Sequence, residues 1–411
     1  MKVNTEKNVE SSSPRKVRIF WLSGLVFGRD TVTSRTEIVR ALSQLDAEVY
    51  LFGISSRGHQ PEESDNHFVL FPMKFVPMIT EILYSLALFV LMPFYVVMKN
   101  PDYVITGPDI STIIGFALKL LFPRARFKVV LDIRSTPLKC QLASDSKTGT
   151  SVQERLRLLF SLSLGLAKKK FDGITIVTEL MKKEVCDRFD INPDFVGVWT
   201  GAVSASIFNP GNFDEKEIKK SLGLGDKFVV FYHGKVRVQG LVETFKALRL
   251  LKGKHQDLVL YLLGEPTFPM FWNDLIQELN IQNSVIFHGN VRYEDVPKYI
   301  AMSDLPIVPL PDNPNWRNQC PLKLLEYLAM EKAVVLTDIP ANREIVGKCE
   351  CGIYISSVEP EEIAHAITDA YRNRDKLGKL GTAGRAIVED KYTWEKVAKR
   401  LLDYLSRLQP I

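Results

Sequence analysis

The chain has 411 residues, 46% of them hydrophobic and 25% charged, with a net charge of +5. That length exceeds one ordinary domain, and the composition is that of a soluble globular protein, so two or three packed domains are expected and a fibrous or wholly disordered chain is excluded. Of the five cysteines, only Cys349 and Cys351 are close together, which supports neither a disulfide framework nor a zinc quartet; reduced thiols and no bound metal are expected.

The excess charge lies in the first half. Residues 1–200 hold 26 Lys+Arg against 21 Asp+Glu, and residues 201–411 hold 27 against 27. The cations gather at Arg124, Arg126 and Lys128, at Arg155 and Arg157, and at Lys168-Lys169-Lys170. A solvated face is the plain reading, and attraction to anionic lipid head groups is the sharper one. Nucleic acid is excluded as a partner, because no recognition motif is present and the cations are not interleaved with aromatics.

Residues 1–15 are polar, with Ser11-Ser12-Ser13-Pro14, and read as a disordered lead-in. They carry no export signal, so a cytoplasmic location is expected. Val17 to Leu22 is a strand ending at Ser23-Gly24. A glycine-bearing loop from Gly24 to Gly28 follows, then a helix opened by Ser34 with Glu37 three residues later, a capping box. Ala47–Gly53, Tyr103–Thr106, Lys128–Ile133 and Gly173–Thr178 are further strands. Strand and helix alternating in this way predict a doubly wound parallel sheet.

One segment departs from that pattern. Ile82–Met98 is free of charge, interrupted by Pro93 and bracketed by Glu81 and Lys99. A spanning helix needs about 20 apolar residues, and a span inside such a unit would separate its strands across the bilayer. A buried crossover helix and an interfacial membrane-contacting helix both stay open, with Phe75-Val76-Pro77-Met78 and the nearby cations favouring contact.

The pattern restarts at Phe228–Gly234, a strand, followed by a helix over Leu241–Leu251 and a strand over Leu258–Gly264. A helix over Phe271–Leu279, a strand over Val285–Gly289, a helix over Val296–Met302 and a strand over Leu305–Leu310 come next. Cys320-Pro321-Leu322-Lys323-Leu324-Leu325-Glu326-Tyr327 then opens a helix, with Pro321 at its first position. Lys323 falls in the first turn, where the positive end of the helix dipole repels it. An anion held there by free N–H groups and the ammonium resolves the conflict. Glu326 shares the face of Lys323 and suits sugar hydroxyls, so the segment proposes a nucleotide. Two Rossmann-like units in tandem, joined near residues 200–215, place a binding cleft at the strand ends.

At that edge Gly234 admits close approach of a ligand, and Lys235 or Arg237 can neutralise a diphosphate. Gly264-Glu265 and Gly289-Asn290-Val291 end neighbouring strands and read either as ordinary turns or as contacts to a base. Asp132 and Arg134 end a strand of the first unit and read either as a buried structural pair or as acceptor-side groups. His233 and His288, lone strand histidines, read as core. No Gly-x-Ser-x-Gly elbow, P-loop or dinucleotide fingerprint is present.

The ordered set Gly234-Lys235, Phe287-His288-Gly289-Asn290, Ser303 to Pro309, Pro321-x-Lys323-x-x-Glu326-Tyr327 and Ile339-Pro340-Ala341-Asn342-Arg343-Glu344 resembles the group-1 retaining glycosyltransferases of the GT-B fold. Trp199-Thr200-Gly201-Ala202-Val203 with Phe208-Asn209-Pro210 resembles that family's interdomain linker, and Asp132-Ile133-Arg134 an acceptor-side strand end of one branch. The resemblance implies an acceptor-binding Rossmann-like domain over 16–200, a nucleotide-sugar domain over 201–390 and a C-terminal helix over 391–411 packing back on the first domain.

It implies that Glu326 holds the ribose, and that Lys323, Lys235 and the backbone near Leu322 hold the diphosphate, with Gly234, Arg237, Gly289, Asn290, Val291 and Asn318 around the donor. Gly24, Gly28, Asp132 and Arg134 fall on the acceptor side. No cofactor is implied beyond the nucleotide sugar itself, and the implied reaction is a metal-independent, retaining hexosyl transfer to a glycan or lipid-linked acceptor in cell-surface polysaccharide or glycolipid synthesis. Four positions depart from the family pattern: Asn318 stands where many relatives have glutamate, Lys235 and Gln239 where many have Arg and Lys, and Thr200 where many have Asn. A nucleotide-sugar 2-epimerase of the same fold and an inactive sugar-nucleotide-binding partner are the alternatives.

Overall fold

The structure, a computed structural model, describes residues 15–27, 34–45, 47–55, 68–72, 79–135 and 150–408. The polar lead-in up to residue 14, Phe75–Met78 and Gly28 lie outside them.

The chain folds around two sheets in which every described strand pairing is parallel. The first comprises β1 (Val17–Phe27), β2 (Ala47–Ser55), β3 (Phe68–Pro72), β4 (Tyr103–Thr106), β5 (Lys128–Ile133), β6 (Gly173–Ile176) and β7 (Val196–Val198), in the order β3-β2-β1-β4-β5-β6-β7. The second comprises β8 (Phe228–His233), β9 (Leu258–Leu263), β10 (Val285–Gly289), β11 (Leu305–Val308), β12 (Val334–Thr337) and β13 (Gly352–Ile355), in the order β10-β9-β8-β11-β12-β13. Both orders reverse direction beside the first strand, the doubly wound arrangement expected from alternating strands and helices. Each sheet is covered on both faces, as a parallel sheet must be. Phe20, Phe52 and Leu131 face one layer of the first sheet and Ile19, Trp21 and Leu51 the other. Val229 and Phe231 alternate with Phe228 and Val230 in the same way along β8.

The sequence pattern is corrected in detail at element ends. β1 continues past Leu22 to Phe27, with its register against β2 shifting between Leu22 and Val26, so Gly24 lies in an irregular strand and not in a loop. Edge strands β3, β7 and β13 were not anticipated. The strand expected over Leu305–Leu310 stops at Val308, where Pro309 follows.

Among the described residues before the linker, five helices flank the first sheet: α1 (Ser34–Gln44), α2 (Ile79–Lys99), α3 (Ile110–Leu121), α4 (Thr150–Lys170) and α5 (Glu179–Phe189). In α2 the apolar stretch divides by face. Tyr84, Leu88, Met92 and Val96, spaced four apart, are buried in the core of the first unit, while Leu86, Val90, Phe94 and Val97 are 58–70% exposed. It is the one helix among the described residues long and apolar enough to cross a membrane, and its buried stripe is part of this core.

Two crossings join the units. Trp199, fully buried, carries the chain from β7 toward the second sheet, and its indole Nε1 donates to Asp132 Oδ1 at 2.8 Å. The final helix, Trp394–Arg407, returns to the first unit, packing Trp394, Val397 and Leu401 against Ile38, Leu42 and Trp199. Where the crossings pass, Val203 N donates to Tyr392 O at 2.9 Å and Val203 bridges Thr393. Tyr404 anchors the returning helix: its hydroxyl donates to Phe195 O at 2.7 Å and accepts from Ile174 N at 3.1 Å. The strands leave room for it, since a Cβ on Gly197 would lie 2.4 Å from Tyr404 Cγ. Replacing Tyr404 by Phe orphans the Ile174 amide, so a loss of about 1–3 kcal/mol is expected, measurable as a lower denaturant midpoint at unchanged slope.

Candidate active site

The site grows from the C-terminal end of β8. The helix Leu322–Ala329 runs beside this strand, its buried face formed by Leu324, Leu325, Tyr327 and Leu328. Tyr327 is fully buried and its hydroxyl accepts from His233 N at 3.0 Å. Burial raises its phenol well above the ordinary tyrosine range, so it stays neutral. That bond registers the helix against the strand end and thereby places two side chains. Glu326, 7% exposed, brings Oε2 to 3.0 Å from His233 Nε2, although His233 Nε2 is not directed for a hydrogen bond. Lys323 Nζ lies 3.5 Å above the ring of Tyr232, a cation–π contact, and a Cβ on Gly234 would sit 3.7 Å from it. Pro321 occupies the cap position and not the first helical one, and no side chain caps this helix start.

Beside these groups a cavity of about 410 Å³ is lined by His233, Gly234, Lys235, Gly264, Glu265, Gly289, Asn290 and Val291. Its walls are largely backbone, brought together by Gly264 at φ +142°, where a Cβ would lie 2.2 Å from Gly234 O. Asn290 Oδ1 accepts from Glu265 N at 3.2 Å and ties two of the strand-end loops together. Tyr293 stands between the units: burial raises its phenol, and Glu326 from one side and Glu37 of α1 from the other add to the shift. The arrangement offers backbone N–H groups, two ammonium groups and one nearly buried carboxylate at a single strand edge. Among the described residues, no group of three His, Cys, Asp or Glu side chains is placed to hold a metal ion.

The structure thus brings together Gly234, Lys235, Gly289, Asn290, Val291, Lys323 and Glu326. Others lie elsewhere. Arg237 is exposed and outside the cavity. The Leu322 side chain turns to the linker, within 2.4 Å of a Cβ built on Gly201, while its backbone starts the helix that carries Lys323 and Glu326. Asn318 turns to the first unit, where its carbonyl accepts from Thr178 Oγ1 at 2.9 Å and its amide donates to Glu184. Glu344 also crosses to that unit, its carboxylate accepting from the Glu179 and Leu180 N–H groups that start α5, at 2.7 and 3.2 Å.

Asp132 is fully buried, accepts from Thr175 Oγ1 at 3.0 Å as well as from Trp199, and faces Arg35 Nε at 3.7 Å. Arg134 donates to Trp199 O at 2.7 Å and stacks 3.5 Å over its ring; burial lowers its guanidinium to about 10, opposed by Asp132, so it stays charged at neutral pH. Both therefore anchor the linker. Gly24 lines a separate cavity in the first unit beside Asp109. Sequence reasoning set His233 aside as core, yet it lines the cavity and meets Glu326. Its place immediately before Gly234-Lys235 was the available signal.

Residues 213–387 match the sequence model of the family described as glycosyl transferases group 1. YtcC of Bacillus subtilis (strain 168), named as a glycosyltransferase, is 26% identical over 296 residues, 66% of this chain and 71% of that protein. A GDP-mannose-dependent alpha-(1-6)-phosphatidylinositol monomannoside mannosyltransferase of Mycobacterium tuberculosis (strain ATCC 25618 / H37Rv) is 22% identical over 49% of this chain and 54% of its own length. Among solved structures, Anabaena Alr3699/HepE in complex with UDP and glucose superposes with a TM-score of 0.69 at 14% identity, over 95% of this chain and 99% of that one. The protein has the GT-B fold, and residues 213–387, within its second unit, are similar to the group 1 glycosyltransferase domain.

Proposed function

We propose that this glycosyltransferase moves a hexose from a nucleotide sugar to a glycan or lipid-linked acceptor, keeping the anomeric configuration and using no metal, as part of cell-surface polysaccharide or glycolipid synthesis. The observation that carries the donor reading is the meeting of Lys323 Nζ with Gly234 at the end of β8, one helical turn from Glu326. Bond cleavage at the sugar leaves a nucleoside diphosphate carrying the electron pair. Lys323, Lys235 and the uncapped start of the Leu322–Ala329 helix stabilise that growing charge. Glu326, aligned beside His233, accepts from the ribose hydroxyls. In this reading a donor phosphate oxygen takes the acceptor proton, and the cationic edge performs the work a metal would otherwise do.

A second reading, a sugar-nucleotide-binding partner without activity, draws on Asn318, which is engaged with Glu184. Slow donor hydrolysis without acceptor separates the two, because a binder alone releases no free sugar. One relative is named as GDP-mannose-dependent, and Anabaena Alr3699/HepE was solved in complex with UDP-glucose. A thermal-shift panel of UDP- and GDP-sugars is therefore expected to raise the melting temperature with one base class. Lys323→Glu is expected to abolish that shift, and wild-type affinity in the variant would overturn the anion site.

For location we propose the cytoplasmic face of an anionic membrane. The exposed apolar face of α2 stands with the exposed cations Lys168, Lys169, Lys170, Arg124 and Arg126 in the same unit. The protein is expected to sediment with phosphatidylcholine vesicles containing phosphatidylglycerol and to be released by salt. Remaining in the supernatant at low salt would return α2 to a purely structural role.

A further inference from the structure

The last two residues of β8, Tyr232 and His233, sort the charges that the Leu322–Ala329 helix brings to the strand end. Lys323 and Glu326 are three apart on that helix, a spacing at which an ammonium and a carboxylate can pair. Among the described residues no ion pair joins them. Lys323 Nζ stands instead 3.5 Å over the ring of Tyr232, and Glu326 Oε2 lies 3.0 Å from His233 Nε2. Successive strand residues face opposite sides of a sheet. Tyr232 packs in the layer of Phe228 and Val230, and His233 stacks on Phe231 in the other. The strand thereby holds cation and anion apart, leaving the one for phosphate and the other for hydroxyls.

His233 is held from three sides. Its backbone N–H donates to the Tyr327 hydroxyl at 3.0 Å, its ring stands edge-on to Tyr327 at 5.1 Å, and Phe231 stacks on it at 6.1 Å. The side chain is 9% exposed and lines the cavity at this strand end. Its Nε2 is buried without a hydrogen-bond partner, beside a carboxylate oxygen that it can reach but does not point at. A buried polar atom left unpaired is costly. In a binding site such a bond often aligns only when the ligand is seated.

We propose that His233 is the positioning residue for Glu326. With the donor seated, Nε2–H donates to Oε2 and holds the carboxylate so that Oε1 and the remaining lone pair of Oε2 accept from the 2′- and 3′-hydroxyls of the ribose. The inference rests on the nucleotide-sugar reading above and adds the residue through which the site selects ribose. A neutral imidazole carries one N–H, so the bond also fixes the tautomer, with the proton on Nε2. A glutamate held in this way has less side-chain freedom to lose when it meets both hydroxyls at once.

The test is calorimetric titration of the full chain with UDP, GDP and their 2′,3′-dideoxy counterparts, which keep base and diphosphate and lack the hydroxyls. For the base that binds, the wild type is expected to prefer the ribonucleotide by about tenfold or more, the strength of a hydrogen bond to a charged group. His233→Phe keeps an aromatic ring between Phe231 and Tyr327 and keeps the backbone N–H. It should cut the preference to about threefold or less while the dideoxy affinity stays unchanged. His233→Gln, whose amide can donate from near the place of Nε2, should restore most of it. The readout is a ratio within each variant, so lost stability that lowers both affinities does not mimic the effect. An unchanged preference in His233→Phe, an equal fall for both nucleotides, or no rescue by glutamine would overturn the proposal and leave His233 a packing residue. A wild type that binds the ribo and dideoxy forms alike would remove the ribose role of Glu326 as well, with the diphosphate site intact. Binding of neither UDP nor GDP would sink the nucleotide-sugar reading itself, and this inference with it.

Discussion

One buried hydrogen bond sets the chemistry of the second unit: the His233 N–H donating to the Tyr327 hydroxyl. It joins the last residue of the central strand to the helix that carries Lys323 and Glu326, and it does so where water cannot substitute. Leaving that amide unpaired would cost about 1–3 kcal/mol, so the register of helix on strand is strongly held. The ring of Tyr327 reinforces it, standing edge-on to His233 at 5.1 Å and to Phe231 at 6.0 Å. Ammonium and carboxylate then reach the strand end from a rigid element, which holds their geometry.

The first unit places its buried charge differently. Asp132 is wholly enclosed, and its hydrogen bonds go to Thr175 and to the linker indole. Arg134 grips the same tryptophan from the other side. A residue pattern suggestive of acceptor chemistry thus fixes the chain where it leaves the first sheet. Asn318, Thr178, Glu184 and Glu344 carry the contact onward between the units, partly through the N–H groups of α5.

Much of the architecture was legible because parallel strands, buried on both faces, read as short unbroken apolar runs. The ends were less so. Pro321 fits both a cap and a first helical position, and the irregularity of β1 has no marker besides Gly24. In the site, Lys323 and Glu326 could be read because a cation in a first helical turn is a local contradiction that asks for an anion. His233 poses no local contradiction; its partner Glu326 lies on another element and is visible only once the fold brings them together. The same holds for Asn318, which the family resemblance places at the donor while the packing turns it toward Glu184. In α2, composition showed that the segment was apolar, but only packing could show which half of its circumference the core takes.

The pairing of Val203 with Tyr392 and Thr393 has a mechanical meaning. A chain that crossed once between two units would leave them free to swivel and tumble about a single tether. Here the outgoing and returning strands are stitched side by side, as the two leaves of a door share one pin. Torsion about other axes would have to break that stitch or pull Tyr404 from its seat between β6 and β7. Rotation of one unit on the other would bend the chain at these residues and part Asn318 and Glu344 from the first unit. The same few residues thus hold the helix of Lys323 and Glu326 in one alignment with the first unit.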